Sequence, residues 1–253
     1  MILDLFSLKG KTALVTGANT GLGQGICIAL AEAGAEVIGV ARRSCEETAE
    51  LIKESNGSFT EIIVDLSDKN AVTKITEQTD TLGKTVDILV NNAGIIKRAD
   101  AIDVTEDDWD QVINLNERLV FFLSQAVAKK YMIPKNEGKI INIASMLSYQ
   151  GGIRVPAYAA SKSAVMGITK ALANEWASLG ININAIAPGY MATNNTAQLR
   201  QDADRNEAVL DRIPAARWGT NMDLAGTAVY LASHASDYVN GFTIAVDGGW
   251  LSR

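Results

Sequence analysis

The tightest constraint on this chain lies in residues 11–23, Lys-Thr-Ala-Leu-Val-Thr-Gly-Ala-Asn-Thr-Gly-Leu-Gly. An apolar run too short for a helix meets a turn carrying Gly17, Gly21 and Gly23. Beyond it Ile26, Ala29, Leu30 and Ala33 recur at helical spacing. Strand, glycine turn and helix in that order build an anion site. Glycine lets the backbone bend sharply and approach a ligand closely, and the helix N-terminus offers unpaired N–H groups and positive dipole to a pyrophosphate. The spacing Gly17-x-x-x-Gly21-x-Gly23 differs from the more familiar G-x-G-x-x-G but uses the same physics. Three glycines would also serve as a plain tight turn, so the flanking pattern has to decide.

That pattern repeats along the whole chain. Residues 36–41, 59–65, 86–90, 139–144, 181–186 and 243–246 are short, nearly continuous apolar runs. Between them lie helical stretches at about 45–54, 68–82, 105–132, 155–179 and 222–233, with Thr105 and Asp108 spaced as a capping box. Strands without alternation are buried on both faces, which predicts a doubly wound α/β domain with a mainly parallel sheet flanked by helices. No linker interrupts the alternation, so 253 residues are read as one domain, residues 1–253, with residues 190–220 an irregular, mobile substrate loop. Ligands in such sheets bind beyond the carboxyl ends of the strands.

Composition excludes several function classes. A net charge of −6 argues against nucleic acid or an anionic membrane surface as partner. Residues 1–6 lack the basic flank of a signal peptide, and no apolar run approaches a membrane span, so a cytoplasmic location is expected. Cys27, Cys45 and the single His234 have no metal-ligand spacing, and no metal is expected.

The polar residues at strand ends are the candidates for chemistry. Asp65 is placed to accept from an adenine amino group, or to cap the next turn. Asn91-Asn92-Ala93-Gly94 suits a backbone passing close to a ribose. Ser145 ends the fifth strand, and Tyr158 and Lys162 lie four residues apart on one helix face. A lysine ammonium beside a phenol favours phenolate, lowering a pKa that starts near about 10. A phenol so tuned exchanges a proton with an alcohol while hydride moves.

Taken together, Thr16-Gly17-x-x-x-Gly21-x-Gly23, Asp65, Asn91-Asn92-Ala93-Gly94, Asn116, Ser145, Tyr158-x-x-x-Lys162 and Pro188-Gly189 resemble the short-chain dehydrogenase/reductase family in order and spacing. The resemblance implies a Rossmann fold and a catalytic tetrad of Asn116, Ser145, Tyr158 and Lys162. Tyr158 would be the general acid/base, Lys162 would also grip the nicotinamide ribose, and Asn116 would anchor a relay water. It implies NAD(P)(H) held by Gly17, Asn19, Thr20, Gly21, Leu22, Gly23, Arg42, Asp65, Leu66, Asn92, Ala93, Gly94, Tyr158, Lys162, Pro188, Gly189 and Thr193. It also implies a homotetramer paired through the long helices, with Val120, Phe121, Phe122, Val165, Met166 and Ile168, and through the C-terminal segment 242–250.

Residues 142–156, 187–196 and 211–219 resemble more narrowly the sugar-acid dehydrogenases of pectin and uronate breakdown. This implies interconversion of a 2,5-diketo acid and its 5-hydroxy form, with Ser145, Arg154, Tyr158 and Met191 at the substrate. Arg154 is the expected carboxylate clamp, with Lys97 or Arg98 as the alternative. A carbonyl reductase acting on 3-ketoacyl thioesters and a non-catalytic nucleotide-binding regulator are the competing readings. One departure stands out. The second strand ends Val40-Ala41-Arg42-Arg43, without the carboxylate that an NAD site places on the ribose 2′-OH. Arg42 points to NADP(H), whereas the sugar-acid relatives point to NAD(H), and the sequence leaves both open.

Overall fold

The computed structural model describes residues 1–253, the side chain of Asn195 excepted. Among the described residues seven strands form one parallel sheet: β1 (Thr12–Thr16), β2 (Glu36–Ala41), β3 (Ser58–Ile63), β4 (Ile88–Asn91), β5 (Gly138–Ile143), β6 (Ile181–Pro188) and β7 (Thr243–Val246). Their order is β3-β2-β1-β4-β5-β6-β7. The chain reverses direction across the sheet between β1 and β4, which opens a crevice at their carboxyl ends.

The two faces of the sheet have separate cores. In β1, Ala13 and Val15 join a buried cluster with Ile26 and Leu30 of α1 (Gly21–Glu32) and with Leu224, Ala228 and Leu231 of α9 (Asn221–Ala232). Leu14 points the other way, into a cluster with Ile75 of α3 (Ala71–Thr81), Leu123 and Val127 of α5 (Leu119–Val127) and Leu172 of α6 (Pro156–Trp176). Because both faces are covered, every β1 residue is buried, and the run reads as continuously apolar rather than alternating. Each fully buried leucine or isoleucine of this kind stabilises the fold by about 1.5–3 kcal/mol.

The stretch expected as one long helix over 105–132 is α4 (Glu106–Ile113) and α5 with a π-helical turn after each, Asn114–Arg118 and Ala128–Met132. Thr105 Oγ1 accepts from the Asp108 N–H at 3.1 Å, which caps the start of α4. Residues 190–220 differ from expectation. They hold a 3₁₀ turn (Asn194–Thr196), α7 (Ala197–Gln201), α8 (Ala203–Arg212) and a parallel bridge from Met191 to Gly219. Asp202 caps α8 through the Arg205 N–H at 3.1 Å. The sequence hides these helices because Val209 is the buried residue of α8, so apolar spacing gives almost no signal.

The first glycine turn is sterically closed. A Cβ at Gly23 would stand 2.1 Å from the Gly17 carbonyl oxygen and 2.5 Å from Asn92 Nδ2, while Gly17 itself has φ +70°. Gly23→Ala is therefore expected to destabilise the chain by about 1–3 kcal/mol. Thermal melting should show the loss, and a fluorescence titration with reduced dinucleotide should show weakened binding.

Candidate active site

The carboxyl ends of β1, β4, β5 and β6 converge on a cavity of about 960 Å³. Two hydrogen-bonded turns make its floor. Thr16 Oγ1, at the end of β1, accepts from the backbone N–H groups of Asn92 and Ala93, each at 3.0 Å. Asn92 Nδ2 returns a bond to the Thr16 carbonyl at 2.8 Å. Thr48 Oγ1, in α2 (Glu46–Glu54), donates to the Ala18 carbonyl at 2.9 Å and holds the outer limb of the glycine turn. Thr20 precedes α1 without a side-chain cap, so the first-turn N–H groups are left for an anion.

Every residue expected at the cofactor lines this cavity. They are Gly17, Asn19, Thr20, Gly21, Leu22, Gly23, Arg42, Asp65, Leu66, Asn92, Ala93, Gly94, Tyr158, Lys162, Pro188, Gly189 and Thr193. The residues fit a dinucleotide: an open helix N-terminus, glycines that admit close approach, and Arg42 with Arg43 where β2 ends without a carboxylate. Asp65 is also the cap of its own turn. Its Oδ1 accepts from the Ser67 N–H at 2.9 Å and the Ser67 hydroxyl at 2.7 Å. Those bonds, helped by the Arg42 charge, hold its carboxyl below the usual range.

The four residues expected to form a tetrad come from three separate parts of the fold. Ser145 follows β5. Tyr158 and Lys162 sit in the first turns of α6, whose start is fixed by Pro156. Asn116 lies in the π-helical turn after α4, fully buried, and clamps Ile95: its Oδ1 accepts from the Ile95 N–H at 2.9 Å, and its Nδ2 donates to the Ile95 carbonyl at 2.9 Å. The same Nδ2 donates to Ser161 Oγ at 3.2 Å, tying the π turn to α6. Wide turns of this type recur where a helix must re-aim one side chain. A Cβ at Gly94 would stand 3.2 Å from Asn116 Oδ1, a tight approach, and in ordinary contact with Lys162 Nζ at 3.8 Å.

The electrostatics depart from expectation. Burial raises the Tyr158 phenol, opposed by a hydrogen bond from Ser145 and by the Arg98 charge. Lys162 is not the group that pulls it down. Burial pushes Lys162 itself down to about 8, and its Nζ donates to the Ile143 carbonyl at 2.6 Å. Ser145 Oγ accepts from the Leu147 N–H at 3.1 Å, which leaves its own proton for Tyr158 or a substrate oxygen.

Of the expected substrate residues, Ser145, Tyr158 and Met191 line the cavity and Arg154 does not. Arg154 has a left-handed backbone, φ +65°, and its Nε pairs with Asp100 at 3.1 Å. This is a correction: the two glycines before it do not bring the guanidinium inward. Lys97 and Arg98 do line the cavity, Lys97 also pairing with Asp108 at 3.0 Å. Asp107, Asp110, Gln111 and Asn114 on the α4 side form a polar wall that sequence reasoning missed. Their i, i+3, i+4, i+7 spacing was the available signal, and it reads equally well as a solvated face.

A family model described as Enoyl-(Acyl carrier protein) reductase matches residues 17–251. The chain is 60% identical over 253 residues to 2-dehydro-3-deoxy-D-gluconate 5-dehydrogenase of Dickeya dadantii (strain 3937), covering 100% of both. The chain belongs to the short-chain dehydrogenase/reductase family. It is 56% identical to the protein of the same name from Escherichia coli (strain K12), again over 100% of both chains. A crystal structure from Agrobacterium tumefaciens, described as a 2-deoxy-D-gluconate 3-dehydrogenase with bound NADP, superposes with a TM-score of 0.93 at 54% identity. It covers 99% of this chain and 100% of that one. As a member of the family the chain is an NAD(P)-dependent oxidoreductase acting on CH–OH groups.

If Tyr158 is the proton-transfer group, Tyr158→Phe keeps the ring and removes the exchangeable proton. The expected result is a kcat loss of about a hundredfold or more. Cofactor affinity by fluorescence titration should be nearly unchanged, and near-wild-type turnover would reject the assignment.

Proposed function

We propose that this chain interconverts the C5 hydroxyl and ketone of 2-dehydro-3-deoxy-D-gluconate, with NADP(H) as the preferred cofactor. The observation that carries the reading is Arg98 on the cavity wall, near enough for its charge to act on Tyr158. It would pair the substrate carboxylate where an apolar substrate has no use for a cation. The full-length likeness to relatives named for this sugar acid supports it. An NADP molecule in the Agrobacterium structure, with Arg42 and Arg43 on the cavity wall here, supports the cofactor preference.

In this reading Tyr158 takes the substrate hydroxyl proton during oxidation and returns it during reduction. Ser145 donates to the same oxygen, while Lys162 holds the ribose and favours phenolate once turned from Ile143. The dinucleotide, when bound, supplies the hydride acceptor or donor. Because burial holds Tyr158 above its ordinary value, oxidation, which needs phenolate, should speed up as pH rises through that titration. Reduction, which needs the neutral phenol, should be retained at neutral pH and fall on the alkaline side. Initial rates in both directions across pH check the sign.

Steady-state assays with 2-dehydro-3-deoxy-D-gluconate and both oxidised cofactors test the activity directly. Turnover of a 3-ketoacyl thioester in preference to the acid would overturn it, and cofactor binding without turnover would favour a regulator. Arg98→Met is expected to raise KM for the acid about ten- to a hundredfold, the scale of a charge-assisted hydrogen bond. Arg154→Met should leave that KM nearly unchanged. Arg42→Ala should weaken NADPH by a similar factor and NADH little; equal losses would remove Arg42 from the 2′-phosphate.

A homotetramer fits the surface. Val120 and Val165 are intramolecular core, and Trp250 is buried within the chain, so these three leave the expected interface. Trp109, Phe122 and Phe242 remain exposed at 40%, 41% and 61% and would be the apolar contacts between copies.

A further inference from the structure

We propose that the Ser148 hydroxyl is a positioning group that locks Ser145 to the helix carrying Tyr158 and Lys162. The proposal rests on the reading of Ser145, Tyr158 and Lys162 as the reacting constellation. Ser145 and α6 are far apart along the chain, separated by a loop with Tyr149, Gly151, Ile153 and Arg154 exposed. A loop of that kind does not by itself fix its two ends to a fraction of an ångström.

Ser148 closes the gap with two bonds from one oxygen. Its Oγ accepts from the Ser145 N–H at 3.2 Å and donates to the Lys162 carbonyl at 2.6 Å. Its own N–H donates to the Ser145 carbonyl at 2.9 Å, closing the 3₁₀ turn Met146–Ser148. Within that turn the Leu147 N–H occupies a lone pair of Ser145 Oγ at 3.1 Å. The turn therefore sets where the Ser145 hydroxyl stands, and the Ser148–Lys162 bond sets where the turn stands against α6. Tyr158 is one helical turn before Lys162 on the same helix, so the single hydroxyl fixes the donor–phenol geometry. A hydroxyl is needed, since the position calls for one donor and one acceptor in a half-buried space.

The bond from Ser145 to Tyr158 favours the phenolate, so loosening it should raise the phenol titration. The other charged groups facing the phenol are Lys162 from its own helix and Arg98 from the segment after β4. Asp107 and Asp110 of α4 line the same cavity. Of these, Lys162 meets Ser148 through its backbone carbonyl, while its Nζ is bound at the Ile143 carbonyl.

The test compares Ser148→Ala, Ser148→Thr and Ser148→Cys with the wild-type chain. Tyr158 is titrated by tyrosinate difference absorbance against Tyr158→Phe as blank, and kcat and KM are measured with 2-dehydro-3-deoxy-D-gluconate and NADP. Ser148→Ala and Ser148→Cys should raise the Tyr158 titration by about half a pH unit or more, one hydrogen bond's worth. They should lower kcat about tenfold, with NADPH affinity unchanged. Ser148→Thr keeps the hydroxyl and should restore both. Ser163→Ala is the control: its exposed hydroxyl reaches only the Ser148 carbonyl, at 3.4 Å, and both readouts should stay at wild type. A Tyr158 titration identical in wild type and Ser148→Ala overturns the proposal. The titration needs no substrate, so a wild-type chain inactive on the sugar acid would sink the proposed function and leave this readout standing.

Discussion

Everything at the cavity depends on how β1 and β4 end. Parallel strands leave their carboxyl ends without ladder partners, and here each end supplies the other's missing bonds. Thr16 Oγ1 takes two backbone N–H groups from the β4 turn, and Asn92 Nδ2 returns one to the β1 turn. The exchange presses the two turns so closely that neither Gly17 nor Gly23 has room for a side chain; a Cβ at Gly17 would stand 2.9 Å from Asn92 Nδ2. The glycines are thus required twice, by the approach of a ligand from outside and by the neighbouring turn from inside. A buried relay on the same strands, Asn91 Nδ2 to Asn142 Oδ1 at 2.8 Å and Asn142 Nδ2 to Thr169 Oγ1 at 2.9 Å, carries the same logic across β5 into α6.

That rigidity gives the charged groups their properties. Burial works against charge on both Lys162 and Tyr158: it lowers the lysine to about 8 and raises the phenol above its ordinary value. In the proposed reaction, a phenol biased toward its protonated form suits a group that must hand over a proton as well as take one. The opposing influences are local and named, a hydroxyl at 145 and a guanidinium at 98, and both come from segments that the strand ends hold in place.

The fold was legible in the sequence because burial on both faces turns each strand into an unbroken apolar run; β2 and β7 are bounded as their residues predict. The cavity lining was legible because its residues sit at strand ends, where a motif fixes position. Arg154 was misread for a reason no composition shows: its backbone adopts positive φ, which sends the side chain toward Asp100. The direction of the Tyr158 shift was misjudged because four-residue spacing gives proximity but not burial. Ser148 escaped notice since one serine among several has no distinguishing pattern until its two partners, 3 and 14 residues away, are seen together.

Residues 190–220 share their foundation with the turn that carries Ser145. Met146, directly after Ser145, is buried in one cluster with Val209 of α8, Ile213 and Trp250. Gln150 Oε1 accepts from Trp250 Nε1 at 3.0 Å and lies 3.5 Å from an Arg212 nitrogen, and the Arg212 guanidinium stacks over the Trp250 ring at 4.0 Å. Tyr190 closes the group edge-on against Trp218 and Trp250. Residues 190–220 are therefore anchored through the C-terminal aromatic to the same turn that presents Ser145. Packed side chains thus join the seat of α8 to the turn that carries Ser145 as well as to the rim of the cavity.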